Sequence, residues 1–102
     1  MARISTHVLD IAKGKPAAGV EVELYFGGKL VDSAKTNAEG RTDAPLLSGE
    51  ELAPGLYELV FHTGESSFFS DITIRFNVTK AGENYHVPLL LAPYGYSTYR
   101  GS

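Results

Sequence analysis

Cysteine is absent from the 102 residues, which removes disulfides, thiolate chemistry and cysteine-bound metals together and fits a reducing compartment. Stability must then come from packing or assembly. Also missing is any run of about 18 uncharged apolar residues, the length a membrane-spanning helix needs. The opening Met1-Ala2-Arg3-Ile4-Ser5-Thr6-His7 has neither the apolar region nor the cleavage site of a signal peptide. A soluble, cytoplasmic protein with no membrane partner is expected. Positive charge is scarce: nine Lys and Arg against twelve Asp and Glu leave a formal charge of −3. Those nine are scattered, so no footprint for a phosphate backbone exists and nucleic acid is not an expected partner. No glycine-rich loop opens a helix, which argues against a nucleotide cofactor. The three histidines, His7, His62 and His86, lack H-E-x-x-H spacing and adjacent carboxylates. Spacing leaves open only a metal site assembled from separate strands; neither a metal nor a cofactor is expected.

What is present is a hydrophobic content of 43%, enough for one core at this length, and the expectation is a single domain over residues 1–102. Apolar residues alternate with polar ones. Val20, Val22, Leu24 and Phe26 fall on one face of a strand, as do Tyr57, Leu59 and Phe61 of a second and Ile72, Ile74, Phe76 and Val78 of a third. Turn signals punctuate these runs at Lys13-Gly14-Lys15-Pro16, Gly27-Gly28, Asn37-Ala38-Glu39-Gly40, Ala53-Pro54-Gly55, Ala81-Gly82-Glu83-Asn84 and Ala92-Pro93-Tyr94-Gly95. Seven or eight short strands in a chain this small predict an all-β sandwich, because two sheets can bury their apolar faces only on each other. One short helix is expected around Thr63-Gly64-Glu65-Ser66-Ser67-Phe68. Pro88 cannot donate to a ladder and marks an edge, a bulge or an unpaired side of the strand Tyr85–Leu91.

Strand parity sorts the candidate functional residues. His7 shares a face with Ser5 and Leu9, and His86 with Pro88 and Leu90, while Val87, Leu89 and Leu91 take the core side. A polar ring among outward apolar neighbours is unfavourable unless a ligand or another subunit covers it. His62, opposite Leu59 and Phe61 and beside Glu58, reads as a hydrogen-bonded surface residue. Arg41, after the Asn-Ala-Glu-Gly turn, reads from local sequence as a solvated cation. The tail Tyr94-Gly95-Tyr96-Ser97-Thr98-Tyr99-Arg100-Gly101-Ser102 stays polar and aromatic to its last residue, whereas most chain ends fray. Such a tail is explained best if its end packs into a site or an interface, for which tyrosines are also common residues. Gly95-Tyr96-Ser97 begins like a nucleophile elbow but lacks the closing glycine and the strand-to-helix turn.

Ser5-Thr6-His7-Val8-Leu9-Asp10, Gly14-Lys15-Pro16-Ala17, Gly40-Arg41-Thr42, Tyr85-His86-Val87-Pro88-Leu89-Leu90-Leu91 and the closing Tyr99-Arg100-Gly101-Ser102 together resemble the transthyretin-related 5-hydroxyisourate hydrolases of urate breakdown. The resemblance covers the whole chain, and the terminal tetrapeptide separates the hydrolases from the hormone carrier on the same scaffold. It implies a transthyretin-type sandwich of two four-stranded sheets and a homotetramer, a dimer of dimers whose facing sheets enclose the active sites. It also implies 5-hydroxyisourate as the small-molecule substrate and no cofactor. Matched motif by motif, the family's catalytic residues fall on His7, Arg41 and His86, and its substrate-binding set on His7, Arg41, Ser97, Tyr99, Arg100, Gly101 and Ser102. Asn84 stands where many relatives have another histidine, and Ser70-Asp71 replaces a frequent proline-containing pair. Two other readings compete: a carrier using the same channel for an aromatic ligand, and an adhesive sandwich module acting through its loops.

Overall fold

The computed structural model describes residues 1–65 and 67–102. Among them run nine strands: β1 Ala2–Asp10, β2 Lys15–Pro16, β3 Glu21–Phe26, β4 Lys29–Lys35, β5 Leu47–Gly49, β6 Gly55–His62, β7 Ile72–Val78, β8 Tyr85–Ala92 and β9 Gly95–Thr98. One sheet has the order β4-β3-β6-β7 and the other β2-β1-β8-β9, with the three-residue β5 also paired to β1. The expected sandwich is therefore present, and the strands beyond the expected seven or eight are the very short β2 and β5.

Local chemistry fixes the ladders. Gly27 and Gly28 both have positive φ, 59° and 78°, and join β3 to β4 with Phe26 opposite Lys29. That is the two-residue primed hairpin turn, which glycine adopts without a Cβ clash. Further along the same pair the register slips between Leu24 and Tyr25, leaving Val31 as the extra residue of a bulge. The alternation read from the sequence decides the interior. Val22, Leu24, Tyr57, Leu59, Phe61, Ile72 and Val78 from one sheet meet Ile4, Val8, Val87, Leu89 and Leu91 from the other, all buried. Polar groups drawn into this layer are bonded: Thr6 Oγ1 donates to the Val87 carbonyl at 2.6 Å and the Tyr57 hydroxyl to Ala53 at 2.7 Å. Burial of each large apolar side chain is worth about 1.5–3 kcal/mol, so the core rather than any bridge holds the sandwich closed.

Among the described residues around Thr63–Phe68 the expected short helix does not form. The described residues of that stretch form turns and bends, and Ser66 lies outside the described residues. Gly64 takes φ 61°, which breaks a right-handed helix. The segment is bonded outward instead, with Thr63 Oγ1 donating to Phe69 O, Ser67 Oγ to Ala92 O, and Phe68 N to Pro93 O.

The feature that builds a site is the parallel pairing of β1 with β8, which sets the first strand of the chain against one near its end. Ser5 lies opposite His86 and His7 opposite Pro88. The other edge of β1 is filled in succession by β5 at Ala2–Ile4, by Arg41 opposite His7, and by β2 at Leu9–Asp10. β9 closes the far side of β8, from Ala92 opposite Gly95 to Leu89 opposite Thr98, and the same register returns at His86 opposite Gly101. Between these the ladder lapses where Pro88 faces Tyr99. A proline has no N–H to give there, so this is the unpaired side that Pro88 demanded, and its carbonyl accepts from Thr98 Oγ1 at 2.8 Å.

Candidate active site

Three strands and one turn converge on the outer face of the β1/β8 sheet. β1 points Ala2, Ile4, Thr6 and Val8 into the core, so Arg3, Ser5, His7 and Leu9 face out. On β8 the same alternation turns His86, Pro88 and Leu90 outward beside them. Arg41 pairs with His7 across the backbone, which puts both side chains on one face.

The turn 37–41 is held by Asn37. Its Oδ1 accepts from the backbone N–H of Glu39 at 2.9 Å and of Arg41 at 3.3 Å, and its Nδ2 donates to Asp43 Oδ1 at 3.0 Å. Gly40 adopts φ 77° and its carbonyl accepts from Val8 N at 2.8 Å. A Cβ on Gly40 would stand 2.3 Å from Val8 O and 3.2 Å from His7 Cδ2, so only glycine lets the turn lie this close to β1. The turn in turn fixes His7, whose Nε2 is 2.8 Å from the Glu39 carbonyl oxygen. A carbonyl can only accept, so Nε2–H is the donor and the neutral ring keeps its lone pair on Nδ1.

His86 is held differently. Its Nδ1 lies 2.9 Å from Ser5 Oγ, its cross-strand neighbour. The chain end packs against its other edge, with Gly101 N donating to His86 O at 2.7 Å. A Cβ on Gly101 would lie 2.6 Å from His86 Cδ2. Burial pushes the His86 pKa below the ordinary imidazole value of 6.5, and the positive charges of Arg41, His7 and Arg3 add to the shift. The ring is thus neutral at neutral pH and able to take a proton. Arg3, Ser5, Arg41, Asn84, His86 and Ser102 line a concavity of about 340 Å³. The neutral imidazole of His86, with the Arg41 guanidinium lining the same concavity, can activate water and stabilise developing negative charge.

Of the residues singled out from the sequence, Arg41, His86 and Ser102 line this concavity, while His7 adjoins it through its pairing with Arg41 and Gly101 through its packing on His86. Ser97 lies opposite Leu90, on the same outer face and exposed. Tyr99 is 56% exposed and lines, with Arg100, a separate concavity bounded by Ile74, Phe76, Tyr85 and Val87. Arg100 does not join the group: its Nη2 donates to Glu83 Oε1 at 3.1 Å and to the Asn84 carbonyl at 3.0 Å, and the guanidinium sits 4.4 Å from the centre of the Tyr85 ring. Adjacent residues of an extended tail point to opposite faces, and with Gly101 against His86 its neighbour must turn the other way. His62 sits on the other sheet between two carboxylates, 2.7 Å from Glu23 and 2.8 Å from Asp71 rather than beside Glu58. Sequence reasoning had no signal for the Glu39 carbonyl, a backbone group. The Ser5–His86 contact needed the parallel register, which periodicity does not supply.

The sequence pattern of the HIUase/Transthyretin family matches residues 4–101. The chain belongs to that family. It is 45% identical to 5-hydroxyisourate hydrolase 2 of Rhizobium meliloti (strain 1021), over 98% of this chain and 96% of that protein. The structure of Klebsiella pneumoniae 5-hydroxyisourate hydrolase superposes with a TM-score of 0.88 at 39% identity, covering all of both chains. Transthyretin from Sparus aurata shares the fold, with a TM-score of 0.83 at 22% identity over 97% and 96% of the two chains. The sandwich is accordingly of the transthyretin type.

Proposed function

We propose that this family member hydrolyses 5-hydroxyisourate to 2-oxo-4-hydroxy-4-carboxy-5-ureidoimidazoline, on the route from urate to allantoin. The observation that carries the reading is the gathering of His7, Arg41 and His86 on one outer sheet face with the chain end laid against His86. The names of relatives matching over nearly the full chain support the substrate. One imidazole removes a proton from water, whose oxygen bonds to the acyl carbon of the strained ring; the carbon–nitrogen bond breaks and the nitrogen takes up a proton. Arg41 stabilises the oxyanion formed on the way. His7 presents Nδ1 for proton transfer, because its other nitrogen is committed to Glu39.

Ser97, Tyr99, Gly101 and Ser102 contribute the substrate-facing tail, and Arg100 serves by anchoring that tail through Glu83 and Tyr85. The reading includes one hydrolase domain over residues 1–102, a cytoplasmic setting, and a homotetramer built as a dimer of dimers that covers the outer sheet faces. Among the described residues no helix is long and apolar enough to cross a membrane.

A direct assay generates 5-hydroxyisourate from urate with urate oxidase and follows its ultraviolet decay. Acceleration over the spontaneous rate, lost on deletion of Tyr99 to Ser102, supports the enzyme. Decay unchanged by the protein would favour the carrier or adhesive readings instead.

A further inference from the structure

Arg3 stands out among the residues the reaction scheme leaves unused. It lies on the outer face of β1 two residues before Ser5, and it lines both the concavity with His86 and Ser102 and an adjoining one with Thr42, Asp43, Ala44 and Pro45. Arg41 lines the same two. Arg3 and Arg41 therefore share the walls of two neighbouring concavities.

Neither is held in an ion pair among the described residues. Among the described residues the ion pairs join His62 to Glu23 and Asp71, Arg75 to Glu58, and Arg100 to Glu83, and none involves Arg3 or Arg41. The nearby acid, Asp43, is bonded by the Asn37 amide. Asp43 is the one acidic side chain among the residues lining the two concavities and is ion-paired to neither arginine, so two like charges stand against one, an arrangement that favours an incoming anion. Two arginines and no acidic side chain line the concavity beside His86, although the chain as a whole carries −3.

We infer that Arg3 and Arg41 form a two-guanidinium subsite that binds the carboxylate of a ring-opened ureido acid. The inference rests on the hydrolysis reading for its chemistry. Water adds across the acyl–nitrogen bond, and the carboxylic acid so formed loses its proton to become a carboxylate. Planar guanidiniums take carboxylates through paired N–H donors. The subsite therefore recognises a charge that the scissile acyl group gains only when the ring opens, and it tightens the binding of product and of product-like acids. Exposed Arg3 contacts the ligand only at this end, which makes it a specificity residue beside the reacting atoms.

The test uses a matched pair of inhibitors of 5-hydroxyisourate decay, N-carbamoylglycine and its neutral amide N-carbamoylglycinamide. The wild-type protein should bind the acid about 10-fold or more tightly than the amide, the size expected for charge-assisted hydrogen bonds. Arg3→Gln should erase most of that preference with little change in affinity for the amide, and Arg3→Lys, which keeps charge but not the fork, should retain part of it. Equal inhibition by acid and amide in the wild type, or an unchanged preference in Arg3→Gln, would overturn the subsite. A wild-type protein that does not hasten decay at all would instead sink the hydrolysis reading, and direct titration of the protein with the two compounds then still decides whether the arginine pair binds carboxylates.

Discussion

Gly101 lies so close to the His86 ring that a Cβ in its place would stand 2.6 Å from Cδ2. The need for glycine at this position comes from contact rather than from backbone conformation, since Gly101 is not among the glycines with positive φ. The chain end is thereby a template for the orientation of a candidate catalytic ring. Gly101→Ala must displace either the tail or the imidazole. Turnover of 5-hydroxyisourate should fall about 10-fold to 10²-fold, as small misplacements of reacting groups do. Thermal unfolding should move by only about 2 °C, because the core is untouched.

Gly40 is constrained in both ways at once, by φ 77° and by the approach of Val8 O to 2.3 Å from a would-be Cβ. The Gly40→Ala protein should lose about 2 kcal/mol or more of stability, read by calorimetry as a fall of about 8 °C or more in Tm. It should also lose activity, because the same turn holds His7 and presents Arg41. An unchanged Tm would mean that the turn does not sit as tightly on β1 as described.

His86 carries a pKa depressed first by burial and then by the positive charges of Arg41, His7 and Arg3. An NMR titration should place its midpoint below 6.5, and Arg41→Gln should move it back upward. The sign for stability follows from the same shift. Above the unfolded value near 6.5 the ring is neutral in both states and makes no demand. As pH falls through that value the unfolded chain takes up the proton first. Stability then declines until the folded pKa is passed. His86→Asn should flatten this decline.

His62 behaves in the opposite sense. Hydrogen bonds from its two ring nitrogens to Glu23 and Asp71 raise its pKa, outweighing the desolvation that lowers it. Its stabilising effect is complete below the unfolded value near 6.5 and is lost as pH rises through the folded value. The ring is about one-third exposed, so screening keeps the effect small. Denaturation of the wild-type protein and of His62→Gln should differ most at the acid end of this window and converge at its alkaline end. A difference that grows with pH would contradict the bonding seen at Glu23 and Asp71.

Much of the fold was legible because each strand buries one face. Period-two alternation therefore identified Val22, Leu24, Leu59, Phe61 and Val78 as interior residues, and the outward assignment of His7 and His86 followed from the same parity. The Gly27-Gly28 pair marked a turn, which the structure makes the hairpin between β3 and β4. Other features were not legible because they depend on partners distant in sequence. The parallel register of β1 on β8 decides that Ser5, and not a carboxylate, meets His86. The Glu39 carbonyl reaches His7 only because Asn37 curls the turn beneath it. A short helix was expected around 63–68 without a helical period to support it, and Gly64 with the bonds to Ala92 and Pro93 holds the described residues otherwise. Matching the terminal tetrapeptide treated its four residues alike, whereas the alternation of an extended tail divides them and sends Arg100 to Glu83.

The most direct measurement of the central claim is the single-turnover decay of 5-hydroxyisourate on the wild-type protein, His7→Gln and His86→Gln at equal concentration and confirmed fold. If the two imidazoles act on the reaction from this outer face, each variant should slow the decay about 10²-fold or more, even with the β-sandwich intact by circular dichroism. Wild-type decay in both folded variants would contradict the account.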